Sequence, residues 1–201
     1  MVLLASVLSA FLGLSGWPLV FLVLAVASGQ ASVGWSNDYL DAHIDKTLER
    51  ASKPSVRDGL NPSSLRLPIL VSLILVIPFS FLAGGFIGGL AHLLAVASAW
   101  TYNLWLARTA WSFLPYAVSF SLLSVFIAQA VSRTLWPSWS IFCLAILVGI
   151  VAHLLNAIPD IEIDKRSNLG GLAVRLGKTT SLWLVAILCL TAVPLAVIAL
   201  G

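Results

Sequence analysis

Oxygen ligands dominate the chemistry available to this sequence. All eight acidic residues fall in two stretches: Asp38, Asp41, Asp45, Glu49 and Asp58 in the first, Asp160, Glu162 and Asp164 in the second. On a helix, Asn37, Asp41 and Asp45 recur at i, i+4 and i+8 and project from one face, with Asp38 on its flank. Asn156, Asp160 and Asp164 copy that spacing. Like charges so placed repel and weaken the helix that carries them, unless a divalent cation offsets the repulsion. Hard oxygen donors without His or Cys partners favour Mg²⁺ over zinc. Magnesium typically uses one or two carboxylates and completes its shell with substrate phosphates. Basic residues follow each stretch: Arg50, Lys53 and Arg57 after the first, Lys165 and Arg166 after the second. Carboxylates for the metal beside cations for phosphate describe a diphosphate site.

The elements that must position these groups follow from composition. Of 201 residues, 60% are hydrophobic and 9% charged, against roughly 45–50% and 25% in soluble domains. With a mean hydropathy of +1.02, too little polar side chain exists to coat a water-soluble globule. Nucleic-acid-binding and disordered chains need charge density and are excluded on the same ground. Cys143 and Cys189 lie in apolar runs without metal-like or disulfide spacing and read as packed or lipid-facing side chains. The N-terminus lacks a basic region and a cleavage site, so the first apolar run reads as a retained segment.

A membrane span needs about 20 apolar residues, and seven stretches qualify or nearly so: 1–14, 17–36, 66–84, 86–106, 112–132, 137–158 and 180–200. The first is short enough to be re-entrant. Gly84-Gly85 and Gly88-Gly89 mark the turn between the third and fourth, or a close helix contact. Trp17, Trp111, Trp136 and Trp139 stand at span edges, as interfacial Trp does. The expected fold is an all-α, polytopic transmembrane helix bundle around a central cavity. Ten of the eleven basic residues fall in the connections after spans two, four and six, and only Arg133 on the other side. The positive-inside rule then makes those connections, and both acidic clusters with them, cytoplasmic. At the mouth of an apolar bundle, such a site suits a diphosphate with a long hydrocarbon tail.

These residues resemble the UbiA-type intramembrane prenyltransferases. Asn37-Asp-x-x-Asp41-x-x-x-Asp45, with Arg50-x-x-Lys53-Pro54 and Gly59, resembles the first aspartate-rich motif of that family. Pro159-Asp160-x-x-x-Asp164, running into Gly171-Leu-Ala-Val-Arg-Leu-Gly177, resembles the second. Tyr102-Asn-Leu-x-Leu-x-Arg108-Thr109 and Leu114-Pro115-Tyr116 are similar to the loop joining the fourth and fifth helices. About 115 residues separate the two motifs. The resemblance implies Mg²⁺-dependent transfer of a prenyl group from its diphosphate to an acceptor within the membrane. The acceptor it implies is a small aromatic, quinone-precursor-like ring. It also implies that Asn37, Asp38, Asp41, Asp45, Asp160 and Asp164 bind the metal, with Asp41, Asp45, Asp160 and Asp164 central to catalysis. Asn37, Arg50, Lys53, Arg108 and Lys165 would bind diphosphate, and Tyr102 would stabilise an allylic cation through its ring face. Where family members commonly carry a basic residue two positions before Thr109, this sequence has Ala107, with Arg108 beside it. The family typically has nine spans, so residues 1–201 are expected to form one transmembrane domain lacking the last two helices and part of the first.

Among the remaining polar residues, His43 reads as solvated, and His92 and His153 as packing histidines on apolar helices. Asn103 and Gln129 read as interhelical hydrogen-bonders, and Glu162 as a supporting neighbour of the second cluster. Two other functions fit the composition. One is an inactive membrane remnant of the same family. The other is a transporter, although its ionisable groups should then lie near mid-membrane rather than at span ends.

Overall fold

The computed structural model describes residues 1–48, 53–166 and 170–200. Helices account for nearly all of it. A ten-residue helix α1 (Val2–Phe11) is followed by the long α2 (Gly16–Thr47), the single turn α3 (Pro54–Arg57) and α4 (Arg66–Leu104). Then come α5 (Leu114–Val131), α6 (Trp139–Ala157), the short α7 (Ile161–Arg166) and α8 (Leu172–Leu176), and α9 (Lys178–Leu200). Among the described residues, five helical stretches are long and apolar enough to cross a membrane: Gly16–Thr47, Pro62–Leu104, Leu114–Val131, Trp139–Lys165 and Lys178–Ala199.

The second of these is two segments rather than one. A straight helix over the 39 residues of α4 would run about 58 Å, roughly twice the ~30 Å hydrocarbon core. Gly85 breaks it, with φ 61° and ψ −161°. Ser80 Oγ then meets His92 Nδ1 at 2.7 Å, although twelve residues of straight helix would hold them about 18 Å apart. Phe81 and Phe86 stack across the turn at 6.2 Å. The turn expected at the glycine pairs is therefore where the sequence placed it, and α4 supplies two antiparallel arms. The Gly85 dihedrals belong almost exclusively to glycine. Gly85→Ala is expected to destabilise the protein by about 1–3 kcal/mol, which a lower unfolding midpoint in detergent would report.

The first of the seven stretches is as short as its sequence suggested. At ten residues, α1 extends about 15 Å and cannot cross. It lies against α2 and α5, placing Met1 and Val2 beside a core of Leu22, Val26, Phe126 and Ile127.

Helices neighbouring in sequence are neighbours in space: α2 packs on α4, α4 on α5, α5 on α6, and α6 on α9. Apolar side chains gain nothing by leaving lipid for one another, so close backbone approach must hold such a bundle. The glycines show where. A Cβ at Gly29 would lie 2.8 Å from Val96 Cγ2, and one at Gly84 would lie 2.7 Å from the buried Phe126 ring. One at Gly149 would fall 2.6 Å from the Tyr116 carbonyl oxygen. His92 is the packing residue its surroundings suggested, stacked on Phe126 at 4.5 Å and 13°.

Arg133, the lone base at the far end, has a local task. Its Nη1 donates to the carbonyls of Ala83, beside the Gly85 break, and of Gln129, near the end of α5. Helix ends leave such carbonyls without partners. Gln129 differs from expectation, because its amide donates to Leu135 O in the following turn rather than to another helix. Trp17, Trp111, Trp136 and Trp139 are all exposed at helix ends, and Cys189 is exposed while Cys143 is partly buried, both as free thiols.

Candidate active site

At the end of the bundle that carries both acidic clusters lies a cavity of about 460 Å³. The last turns of α2 supply its first wall. Asn37 and Asp41, one turn apart, both line it, and the Asn37 amide donates to Asp41 Oδ2 at 2.9 Å. That bond turns the Asn37 oxygen the other way, where Lys53 Nζ donates to it at 2.7 Å. The same ammonium donates to Asp38 Oδ1 at 3.0 Å. On the other side of Asp41, Arg108 Nη2 lies 3.5 Å from Oδ1. The first motif thus meets two cations, one from the connection after α2 and one from the connection after α4.

The opposite wall comes from the end of α6. Pro159 has no N–H to donate, and the chain tightens into a 3-10 turn over Ile158–Asp160 before resuming as α7. Asn156, Asp160 and Asp164 line the same cavity as Asn37 and Asp41. Three carboxylates (Asp41, Asp160 and Asp164) and two cations (Lys53 and Arg108) therefore share one space. Tyr39 lies elsewhere, hydrogen-bonded to Arg66 at 3.1 Å.

Between the walls the floor is aromatic. Tyr102 stands edge-on to Tyr116 (5.3 Å, 80°) and to His153 (5.9 Å, 77°). Tyr116 also meets His153 at 5.2 Å, and its hydroxyl accepts from the Asn156 amide at 3.1 Å. Sequence reasoning missed His153, which lines the cavity although it is only 2% exposed. Its Nε2 bonds Ser112 Oγ at 3.0 Å, and the same Ser112 oxygen accepts from Leu172 N at 2.9 Å. Three segments distant in sequence are tied there: α6, the connection after Arg108, and the start of α8. Only the Tyr-rich context of residues 102 and 116 hinted at an aromatic corner, and nothing in the local sequence pointed to Ser112.

This knot sets the position of Arg108. A Cβ at Gly171 would lie 2.7 Å from the Ala107 carbonyl oxygen and 3.3 Å from Ser112 Oγ. Gly171→Ala is thus expected to push the 106–108 turn away from α8 and to carry Arg108 with it. Misplacing a positioned group by about 1 Å can cost ~100-fold. Diphosphate affinity of Gly171→Ala, measured by calorimetry in detergent, checks this; an unchanged affinity would show that the turn is not held by this contact.

The structure gathers Asn37, Asp41, Lys53, Tyr102, Arg108, Asp160 and Asp164 around the cavity. Asp38 reaches it through Lys53. Asp45 is fully buried, off the cavity wall. Lys165 and Glu162 are exposed outside it, and Arg50 lies outside the described residues. His43 is exposed, as expected. Asn103 bridges α4 to α2 through Val33 O and Ser36 Oγ, both at 2.8 Å.

Among the described residues, no three His, Cys, Asp or Glu side chains stand close enough to cage a metal alone. Such a cage is a poor criterion for Mg²⁺, which shares its shell between one or two carboxylates and phosphate oxygens. The donor set fits that use: Asn37, Asp41, Asp160 and Asp164, which line the cavity, all offer hard oxygens. The Lys53 ammonium, held by Asn37 and Asp38 oxygens, also marks a place where a cation is welcome.

Over residues 1–201 the chain matches the UbiA prenyltransferase family. No curated protein and no solved structure matches it.

Proposed function

The chain belongs to the UbiA prenyltransferase family, and from that premise we propose that it transfers a prenyl group from a prenyl diphosphate to a small aromatic acceptor, with Mg²⁺ at the cavity described above. The observation that carries this reading is the convergence of both aspartate motifs, Lys53 and Arg108 on one cavity in an apolar bundle. Asn37, Asp41, Asp160 and Asp164 would hold the metal and Asp38 would support it through Lys53. When bound, Mg²⁺ supplies Lewis-acid neutralisation of the diphosphate oxygens.

The chain's own residues do the rest. Lys53 and Arg108, already directed at the carboxylates, turn to the leaving diphosphate and stabilise the charge that develops as the C–O bond breaks. The allylic cation left behind lies against aromatic faces rather than water, and Tyr102 is one such ring lining the cavity with the carboxylates. Attack by the electron-rich acceptor ring forms the new C–C bond, and the ring then loses a proton. The low dielectric of the bundle strengthens each of these charge interactions. The excess of Lys and Arg in the connections at this end supports a cytoplasmic orientation for it.

The test uses the purified protein with Mg²⁺, prenyl diphosphates of several lengths and a panel of phenolic acceptors. Prenylated product and stoichiometric diphosphate release are expected. Folded protein that binds Mg²⁺–diphosphate but never releases it would instead favour an inactive relative.

A further inference from the structure

A second hollow lies on the outside of the bundle, between α2 and the first arm of α4, with a volume of about 450 Å³. Ala27, Ala31 and Trp35 form one wall at helical i, i+4 spacing, and Leu67, Val71 and Leu75 form the other. None of its lining residues lines the active-site cavity; α2 stands between the two. Just beyond the lining residues, one further turn along α2 from Trp35, Tyr39 meets Arg66, the residue before Leu67. The Arg66 Nε donates to the Tyr39 hydroxyl at 3.1 Å, and its guanidinium carbon lies 5.5 Å from the ring centroid. Among the described residues no carboxylate pairs with Arg66, which is exposed.

We propose that this groove binds one anionic phospholipid, with an acyl chain along the small-residue floor and the phosphate on Arg66. The dimensions suit that ligand. From Ala27 to Tyr39 the helix rises about 18 Å, close to the ~15 Å depth of one leaflet's hydrocarbon. The charge is complementary at the one place where a headgroup would sit. Arg presents a planar fork suited to phosphate oxygens, and Tyr39 holds that fork in place through its hydroxyl and ring. The alanines leave room for a chain that larger side chains would fill. A bare diphosphate has no use for the apolar floor. A zwitterionic lipid would bring its own ammonium beside Arg66 and leave the net positive charge there uncompensated.

Native mass spectrometry of the full chain released from detergent, with equal phosphatidylglycerol and phosphatidylcholine offered, tests the assignment. One bound phosphatidylglycerol is expected, preferred about fivefold, the contribution of a single basic residue near the surface. Arg66→Gln should erase the preference while leaving some lipid bound. Leu75→Trp, which fills the groove at an exposed position, should remove the bound lipid whatever its headgroup. Lys178→Gln, an exposed cation at the same end but away from the groove, should change neither. Retention of the preference in both Arg66→Gln and Leu75→Trp would overturn the proposal. So would a wild-type protein without headgroup preference, or one that takes a prenyl diphosphate at this groove in place of phospholipid.

Discussion

Asp41→Asn and Asp160→Asn are each expected to abolish Mg²⁺-dependent binding of a prenyl diphosphate and to lower turnover by at least ~100-fold, the scale for removing one charge-stabilising group. The two residues lie on different helical segments, 119 positions apart in sequence, yet line one cavity. Their removal therefore acts on one site from two sides. Asn keeps the size and one oxygen but loses the negative charge that a divalent cation requires. In Asp41→Asn the effect extends further, because Arg108 lies 3.5 Å from Asp41 Oδ1 and loses its counter-charge. Mg²⁺-dependent diphosphate affinity by calorimetry, beside turnover, checks both variants. If either retains wild-type affinity, that residue is not a ligand, and the shared-site reading fails. The double variant should be hardly worse than either single one, since groups acting as a unit are non-additive.

The second large effect is structural. Gly149→Leu is expected to part α5 from α6, because its Cβ would fall 2.6 Å from the Tyr116 carbonyl oxygen and 3.1 Å from the Ala117 Cα. Backbone atoms of a neighbouring helix cannot rotate aside as a side chain can. Overpacking of this kind costs about 1–3 kcal/mol or more. The displacement also breaks the function, since Tyr116 holds Asn156 at 3.1 Å and both line the cavity. The expected result is a lower unfolding midpoint in detergent together with weakened substrate binding. Gly149→Ala should show a smaller form of the same pair of changes. An unchanged midpoint in both variants would show that α5 and α6 are not held by this approach.

These expectations differ in how far the sequence could have reached them. The spacing of Asn37, Asp41 and Asp45, repeated at Asn156, Asp160 and Asp164, is a property of 3.6 residues per turn and was legible directly. Even so, Asp45 proved to be fully buried away from the cavity wall. Spacing defines a face, but only the neighbours decide how far along that face a cavity extends. The turn at Gly85 was legible because a glycine pair in a run twice the membrane's thickness admits few other readings. The brevity of the first segment was legible too, although where its helix ends, at Phe11, was not, since apolar residues continue through Leu12 and Leu14. His153 shows the opposite limit. Surrounded in sequence by Ala152, Leu154 and Leu155, it reads as a packing residue, and only the approach of Tyr102, Tyr116 and Ser112 places it at the site.

By itself the sequence determined the medium, the order of the long apolar segments, and the oxygen chemistry of the two acidic clusters. Those depend on composition and on local periodicity, which a linear chain displays in full. Tertiary structure alone decided which carboxylates face one another, that Lys53 and Arg108 reach the first motif, and that Ser112 ties α6 to α8. It also decided where glycine must stand, at Gly149 and Gly171. Each of these is a distance between residues far apart in the chain, set by how closely helices pack within lipid, where small residues rather than hydrophobic attraction control the approach.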